Sequence, residues 1–168
     1  MFASGTLGGA GFGAVLGALG ESMSSNARTV VGTAVGLILL VTAARPFPMP
    51  QVNRETSQKI LERGPIQWAA INGGLLGIAI TSRIGFWLWY AVPTYAVTSG
   101  NWRSGAAAYG VYAVARMAAI VALSARIRSP GDSQRVMERM LGLRATARTV
   151  CRWAAVAVGL TYVAILGL

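Results

Sequence analysis

The stretch "GLLGIAITSRIGFWLWYAVPTYAV", residues 74–97, is apolar almost throughout and contains no Asp, Glu or His. Its one charged residue, Arg83, lies near the centre. About 20 predominantly apolar residues are enough to cross a bilayer as a helix. Only 12% of the whole chain is charged, against about 25% in ordinary soluble domains. The sequence therefore predicts an integral membrane protein with no separate soluble domain.

Charged and polar residues divide the chain into five apolar segments. They cover about 2–20, 29–44, 65–98, 105–125 and 149–168. The third is too long for one straight helix, so we expect it to be broken near Ser82 to Gly85. The prediction is one domain, 1–168, with an all-α integral membrane fold: a bundle of about five transmembrane helical segments with a broken central helix.

The positions of the basic residues predict the topology. If the third segment makes one net crossing, two groups of basic residues share a membrane side, and the other side carries only Arg28 and Arg103 with Glu21. The positive-inside rule favours this arrangement. We therefore expect a multi-pass protein of the cell inner or plasma membrane, with the N-terminus and the basic loops in the cytoplasm. The two groups are Arg45, Arg54, Lys59 and Arg63, and Arg126, Arg128, Arg135, Arg139, Arg144 and Arg148.

A separate amphipathic helix is predicted over about 132–146. The preceding helical pattern is interrupted by Ser129-Pro130-Gly131. Asp132 or Ser133 can then cap a new helix. Val136, Met140 and Leu143 then recur at helical spacing. We expect this helix to lie on the cytoplasmic membrane surface. A regulatory or partner-binding helix is the alternative.

Small residues form a regular stripe in the first segment. Gly5, Gly9, Gly13 and Gly17 are four residues apart, and Gly32 and Gly36 repeat the spacing in the second segment. Without Cβ atoms, such faces let another helix approach closely. These glycines are the predicted helix-packing interface, either within the chain or with another subunit.

Two arginines within apolar segments are candidate contacts for a ligand or partner. A charge at the bilayer centre is costly, so Arg83 and Arg116 are not expected to face lipid. Ser82 and Asn72 are grouped with them. The five acidic residues all fall in loops, so Arg83 has three possible partners: carbonyls freed by its own broken helix, a partner's carboxylate or a lipid phosphate, or an anionic ligand in a watery cavity.

Composition excludes several classes of function. The chain has no His and a single Cys, Cys151, so a metal or haem site and a Ser-His-Asp or Cys-His catalytic site lack their ligands. We expect no cofactor, no catalytic residues and no enzymatic activity. The basic residues lie between apolar runs rather than on one basic face. Membrane lipid is therefore the expected partner, and nucleic acid is not.

Several stretches resemble the transmembrane domain of the CcdA/DsbD thiol–disulfide transporter family. "VVGTAVGLILLVTAARPFPMP" is similar to that family's third helix with its Pro-rich exit, and "ERGPIQWAAINGGLLGIAITSRIGFW" to the entry of its fourth. "SGNWRSGAAAYGVYAVARMAAIVAL" resembles its fifth helix, and the final apolar segment its sixth. The resemblance covers about 140 residues and implies an inverted-repeat scaffold with a cavity at the broken helix.

The residues that perform the family's chemistry are replaced in this chain. Ser82 stands where the family often has Pro, Arg83 where it has Cys, and Phe86 where a second Pro is usual. The family's first helix, which carries the other cysteine, has no counterpart, and Cys151 matches no family cysteine. Thiol–disulfide exchange needs a thiolate to attack a disulfide, so the resemblance does not extend to redox activity.

Three functions follow as hypotheses. The first is a non-catalytic membrane scaffold or anchoring subunit of a larger membrane complex, which implies other membrane protein subunits as partners. The second is a transporter or conduit for a small anionic or thiol compound, with Arg83 and Arg116 on the pathway. The third is half of a split thiol–disulfide transporter whose cysteines come from a partner.

Overall fold

A computed structural model describes residues 2–45, 47, 64, 67, 71, 74–75, 86–127 and 129–166. Within these residues the chain contains helices and no strands. The α-helices are α1 (Phe2–Ser22), α2 (Ser25–Ala44), α3 (Ala91–Thr98), α4 (Trp102–Ser124) and α5 (Pro130–Leu166). A single turn of 3-10 helix, Trp87–Tyr90, leads directly into α3. The described residues agree with the predicted all-α fold.

Polar side chains cap α2 and α4 at their N-termini. The Ser24 hydroxyl accepts a hydrogen bond from the Ala27 amide at 3.2 Å, so α2 begins four residues before the predicted Thr29. Asn101 does the same for α4, with 2.8 Å between its Oδ1 atom and the Arg103 amide nitrogen. Each cap satisfies a backbone donor that has no partner within the helix.

Helix α2 ends where a proline follows. Arg45 has an extended backbone, with φ −126° and ψ 122°, while its amide still donates to the Val41 carbonyl at 2.8 Å. The next residue in the sequence is Pro46, whose ring disfavours helical backbone at the residue before it. Helix α2 therefore ends at Ala44, the last residue of the second apolar segment.

Helix α5 differs from its prediction. A surface helix over 132–146 and a final segment over 149–168 are joined here in one continuous helix of 37 residues. Ser129 caps it, rather than Asp132 or Ser133. The Ser129 amide donates to the Asp132 carboxylate at 3.0 Å, and the Asp132 amide donates back to the Ser129 hydroxyl at 3.3 Å. This reciprocal capping box fixes the start of the helix.

The bundle contains two pairs of antiparallel helices. Along α1, Gly17 lies beside Asn101 and Gly13 beside Gly105, so α4 runs opposite to α1. Along α2, Gly36 lies beside Gly159, while the Ala44 carbonyl lies near Arg152, so α5 runs opposite to α2. The short helix α3 contacts α1, α2 and α4.

Contacts along α1 place two described residues of the third predicted segment, 65–98. Gly74 lies beside Gly8, near the start of α1, and Val97 lies beside Gly20, near its end. The predicted break at Ser82 to Gly85 lies outside the described residues.

Four described helices are long and apolar enough to cross a membrane: Phe2–Ser22, Ser25–Ala44, Trp102–Ser124 and Gly131–Ile165. Large apolar side chains point outward from each of them. Leu7, Val111 and Ile165 are each more than 70% exposed. In water such surfaces favour association, whereas lipid tails solvate them. The helices therefore support a multi-pass membrane protein.

Candidate functional site

The glycine stripe of α1 faces another helix of the same chain. Gly5, Gly9, Gly13 and Gly17 are all buried. A Cβ atom built on Gly13 would collide with the Gly105 carbonyl oxygen and lie 2.7 Å from the Tyr109 Cβ. One built on Gly17 would lie 2.5 Å from the Asn101 carbonyl oxygen. At Gly13 and Gly17 the stripe therefore packs within the chain, against the start of α4.

A second crossing of glycines joins α2 to α5. Gly32 and Gly36 are buried. A Cβ atom on Gly36 would lie 2.9 Å from the Tyr162 Cβ and 3.0 Å from the Gly159 carbonyl oxygen. Gly159 lies similarly close to Gly36 and Leu40. Because no side chain separates the backbones, the two helices gain dispersion contacts along their crossing.

Arg116 lies half-buried on α4 and belongs to a polar and aromatic cluster. Its Nη1 atom donates a hydrogen bond of 2.8 Å to the Tyr112 hydroxyl. The Tyr112 ring packs edge-on against Tyr109, with 6.2 Å between the ring centroids, and Tyr109 packs edge-on against Phe12 of α1 at 5.3 Å. The cluster therefore links a cation of α4 to the α1–α4 interface.

The centre of this cluster contains a polar group without a hydrogen bond. Tyr109 is fully buried, and its hydroxyl has no hydrogen-bond partner in the structure as described. A buried hydroxyl without a partner costs free energy. The ring compensates, since it fills the space opposite the α1 glycines and contacts Phe12.

The other candidate contacts, Arg83, Ser82 and Asn72, lie outside the described residues. The structure therefore does not bring Arg83 and Arg116 together or separate them, and the three possible partners of Arg83 stay predictions. Three of the acidic residues, all expected in loops, lie within helices instead: Glu21 in α1, and Asp132 and Glu138 in α5. Asp132 forms the capping box with Ser129 at the start of α5, and Glu138 accepts a 3.4 Å hydrogen bond from Gln134 on the exposed part of that helix.

A cleft that the sequence analysis did not identify lies where α2 ends. It has a volume of about 470 Å³ and lies between the end of α2, the 3-10 turn and α5. We call it the Arg148–Arg152 cleft, after the two cations on its α5 wall. The Trp87 indole N–H donates to the Phe47 carbonyl at 3.1 Å on the opposite side. Arg152 Nη2 donates to the Ala44 carbonyl at 3.4 Å.

Cys151 lines the same cleft and is half-buried. Its position in the cleft leaves it partly accessible, so it can serve as a reporter for small thiol reagents. Part of the cleft could have been found from the sequence, because two arginines four residues apart immediately precede an apolar run. The end of α2 and Trp87 are too distant along the chain for that.

We expect Tyr112→Phe to lower the stability of the protein in mild detergent by about 0.6–1.7 kcal/mol, the range for side-chain hydrogen bonds in membrane proteins. The physical reason is loss of the 2.8 Å bond from Arg116. The measurement is a double-mutant cycle of thermal unfolding with Arg116→Leu. In the Arg116→Leu background, Tyr112→Phe should cost almost nothing. Equal losses in both backgrounds would show that the bond contributes no stability.

Comparison with known proteins gives no further assignment: no family model, no curated protein and no solved structure matches the chain.

Proposed function

We propose that this chain is a non-catalytic membrane subunit that anchors and helps to assemble a partner protein in the membrane. It would derive from a CcdA/DsbD-like transporter scaffold that has lost its cysteines. The proposal is supported by four helices of membrane-spanning length and by a sequence with no His and a single Cys. The observation that carries it is the length and surface of α5.

Helix α5 is longer than a membrane is thick. Its 37 residues extend about 55 Å at 1.5 Å per residue, while the hydrocarbon core measures about 30 Å. The last 20 residues of α5, 147–166, suffice for a crossing, with Arg148 and Arg152 in its first two turns, at the level of the headgroups. The preceding residues, 131–146, which we call the amphipathic arm, then project beyond the hydrocarbon core for about 25 Å.

The amphipathic arm presents apolar side chains that no other described residue covers. Met140 and Leu143, on the predicted apolar stripe, are 53% and 62% exposed. A continuous helix that crosses the bilayer does not also lie flat on its surface, so these side chains would be left in water. Burying one such side chain contributes about 1.5–3 kcal/mol. Binding a partner protein along the stripe supplies that free energy.

The charges on the arm favour a partner whose binding groove is edged by both acidic and basic side chains. Arg135, Arg139 and Arg144 alternate with Asp132 and Glu138 along this part of α5. An apolar stripe flanked by both signs of charge is typical of helices that bind in a groove of another protein. The positive-inside rule places this end of the bundle in the cytoplasm. The partner would therefore be a membrane protein with a cytoplasmic face, or a protein bound to one.

The test is co-purification from the native membrane in mild detergent. The wild-type chain should retain a partner at a fixed ratio. Leu143→Glu places a charge on the apolar stripe and should reduce partner retention at least about tenfold, the equivalent of 1.4 kcal/mol. Ala145→Glu is the matched control, because residue 145 is also exposed but lies on the opposite face of the helix. It should retain the partner.

Two results would contradict the proposal. One is a wild-type chain that migrates alone after mild extraction. The other is equal loss of the partner in Leu143→Glu and Ala145→Glu. A partner bound along the apolar stripe should be lost only when the charge is placed on that face of the helix. A partner that supplies two intramembrane cysteines would instead select the split thiol–disulfide transporter.

The conduit for a small anion is the second candidate, and one observation favours it. Arg116 is a half-buried cation within a predicted span, hydrogen-bonded to Tyr112 beside the buried Tyr109 hydroxyl. Such groups inside a membrane protein commonly mark ion or substrate pathways. Uptake of a labelled organic anion into vesicles containing the purified chain, abolished by Arg116→Leu, would select this function.

A further inference from the structure

The Arg148–Arg152 cleft lies where α5 changes from charged to apolar. Residues 153–166 contain no charged side chain, and Arg152 is the last cation of the sequence. At the same level α2 ends, since Arg152 donates to the carbonyl of Ala44. The apolar parts of α2 and α5 therefore both end at this level. This places the cleft at the boundary between hydrocarbon and headgroups.

The cleft is positively charged. Arg148 and Arg152 are four residues apart and so lie on the same face of α5. Within the described part of the chain, no carboxylate forms an ion pair with either guanidinium. The 3.4 Å bond to Ala44 uses only one of the donors of Arg152. Guanidinium groups match phosphate oxygens in charge and geometry, and two of them line this cleft.

An apolar groove continues from the charged cleft along α2. The groove has a volume of about 480 Å³ and shares Thr42, Phe47 and Trp87 with the cleft. Its other walls are Leu37, Ile38 and Val41, one to two turns further into the bundle. A cleft with two cations on one wall thus opens directly into an apolar groove. Trp87 lies at the junction, and indole rings are enriched at this depth of a membrane.

We propose that this pair of cavities binds one anionic phospholipid. The phosphate of the headgroup lies between Arg148 and Arg152, and one acyl chain follows the groove over Leu37, Ile38 and Val41. A free phosphate would fill only the charged part, and an apolar molecule only the groove. This inference is independent of the amphipathic arm, because no cleft or groove residue lies within 131–146.

The test uses the purified full chain in detergent, with phosphatidylglycerol, phosphatidylcholine or inorganic phosphate as the added probe. Native mass spectrometry counts the bound lipid, and thermal unfolding reports the stabilisation on binding. We expect phosphatidylglycerol to bind at one molecule per chain and to bind at least about tenfold more tightly than phosphatidylcholine. Inorganic phosphate should give no shift at the same concentration.

Three double variants locate the site. Arg148→Gln with Arg152→Gln should weaken phosphatidylglycerol binding at least about tenfold, because it removes both guanidiniums. Arg135→Gln with Arg139→Gln is the matched control, with the same spacing, helix and change of net charge, and it should alter binding less than about twofold. Arg148→Lys with Arg152→Lys keeps the charge and tests the site if the Gln variant fails to fold. It should bind more weakly than the wild type, because it lacks the planar fork.

Equal weakening by the two Gln variants would overturn the proposal, because it would show a general attraction of anionic lipid to a basic protein. Equal affinity for phosphatidylcholine would remove the role of headgroup charge. Stabilisation by inorganic phosphate alone, as large as that by the lipid, would remove the role of the apolar groove. Unchanged lipid binding in the folded Lys variant would exclude bidentate recognition by the guanidiniums.

Discussion

Replacing Gly13 by leucine is expected to separate α1 from α4 and to destabilise the protein more than any substitution on its lipid-facing surface. Even the first added atom, the Cβ, would collide with the Gly105 carbonyl oxygen. That oxygen belongs to the backbone of α4, which cannot turn aside as a flexible side chain can. Introducing atoms into a packed interior typically costs about 1–3 kcal/mol, and a backbone clash places this variant at or above the upper end.

Gly11→Leu is the matched control for this prediction. Gly11 lies two residues away on the same helix, and a Cβ built there has nothing within 4 Å. Leucine also has a better helix propensity than glycine, so we expect this variant to be neutral or slightly stabilising. Gly13→Ala should fall between the two, since it adds only the Cβ.

The measurement is thermal unfolding in mild detergent, followed by tryptophan fluorescence, with circular dichroism to establish that each variant is helical before heating. A Gly13→Leu midpoint equal to that of Gly11→Leu would mean that α1 does not approach α4 at this glycine. The contact between Gly13 and α4 also bears on function. The glycine stripe is available to another subunit only if α4 does not occupy it.

Local sequence signals account for several helix boundaries. The pair Arg45 and Pro46 ends α2, and Asn101 starts α4, because capping and proline chemistry act over a few residues. The start of α2 was predicted too late since Ser25, Asn26 and Arg28 interrupt the apolar pattern without interrupting the helix. A change from apolar to polar residues indicates a change of environment. The helix itself continues as long as its backbone hydrogen bonds are formed.

The same distinction explains α5. The prediction divided it near residues 146–149, where charge gives way to apolar residues. No proline occurs between Gly131 and Leu166, and the residues around the proposed division, "LRATARTV", include good helix formers such as Ala, Arg and Leu. Nothing local therefore stops the helix there. The continuity of α5 makes the amphipathic arm a projection from the bundle, and the proposed function depends on it.

The spacing of glycines predicted close packing but not which helix packs there. Gly13 and Gly105 are about ninety residues apart in the sequence, and either could have met another subunit. The Arg148–Arg152 cleft was missed for the same reason. Its arginines are visible as a pair in the sequence, but Trp87 and the end of α2 reach them only through the pairing of α2 with α5.

A disulfide between positions 10 and 110 should form readily within one chain. A Cβ built on Gly110 lies 3.8 Å from the Cβ of Ala10, which is the mean Cβ–Cβ separation in disulfides. The chain has one native thiol, so Cys151→Ser gives a background without cysteines. In that background, Ala10→Cys with Gly110→Cys should oxidise nearly completely under mild conditions.

The product of this oxidation decides between the two interpretations of the glycine stripe. A bond within the chain gives a monomer that migrates faster on a non-reducing gel, because the closed loop of about one hundred residues makes the denatured chain more compact. A bond between chains gives a dimer. Gly11→Cys with Gly110→Cys is the control, since residue 11 has open space around it, and it should remain reduced.

We expect the compact monomer, because α1 lies along α4 from Gly17 beside Asn101 to Ala10 beside Gly110. Dimers in place of monomers would mean that the stripe belongs to an interface between copies and that α4 packs against a neighbouring chain. Equal oxidation of the control variant and the test variant would mean that the face of α1 is not fixed. With the stripe occupied from within, a partner can bind only on other surfaces, such as the amphipathic arm, most of whose residues are exposed. An intramolecular disulfide would therefore also support Leu143 as the place to test for a partner.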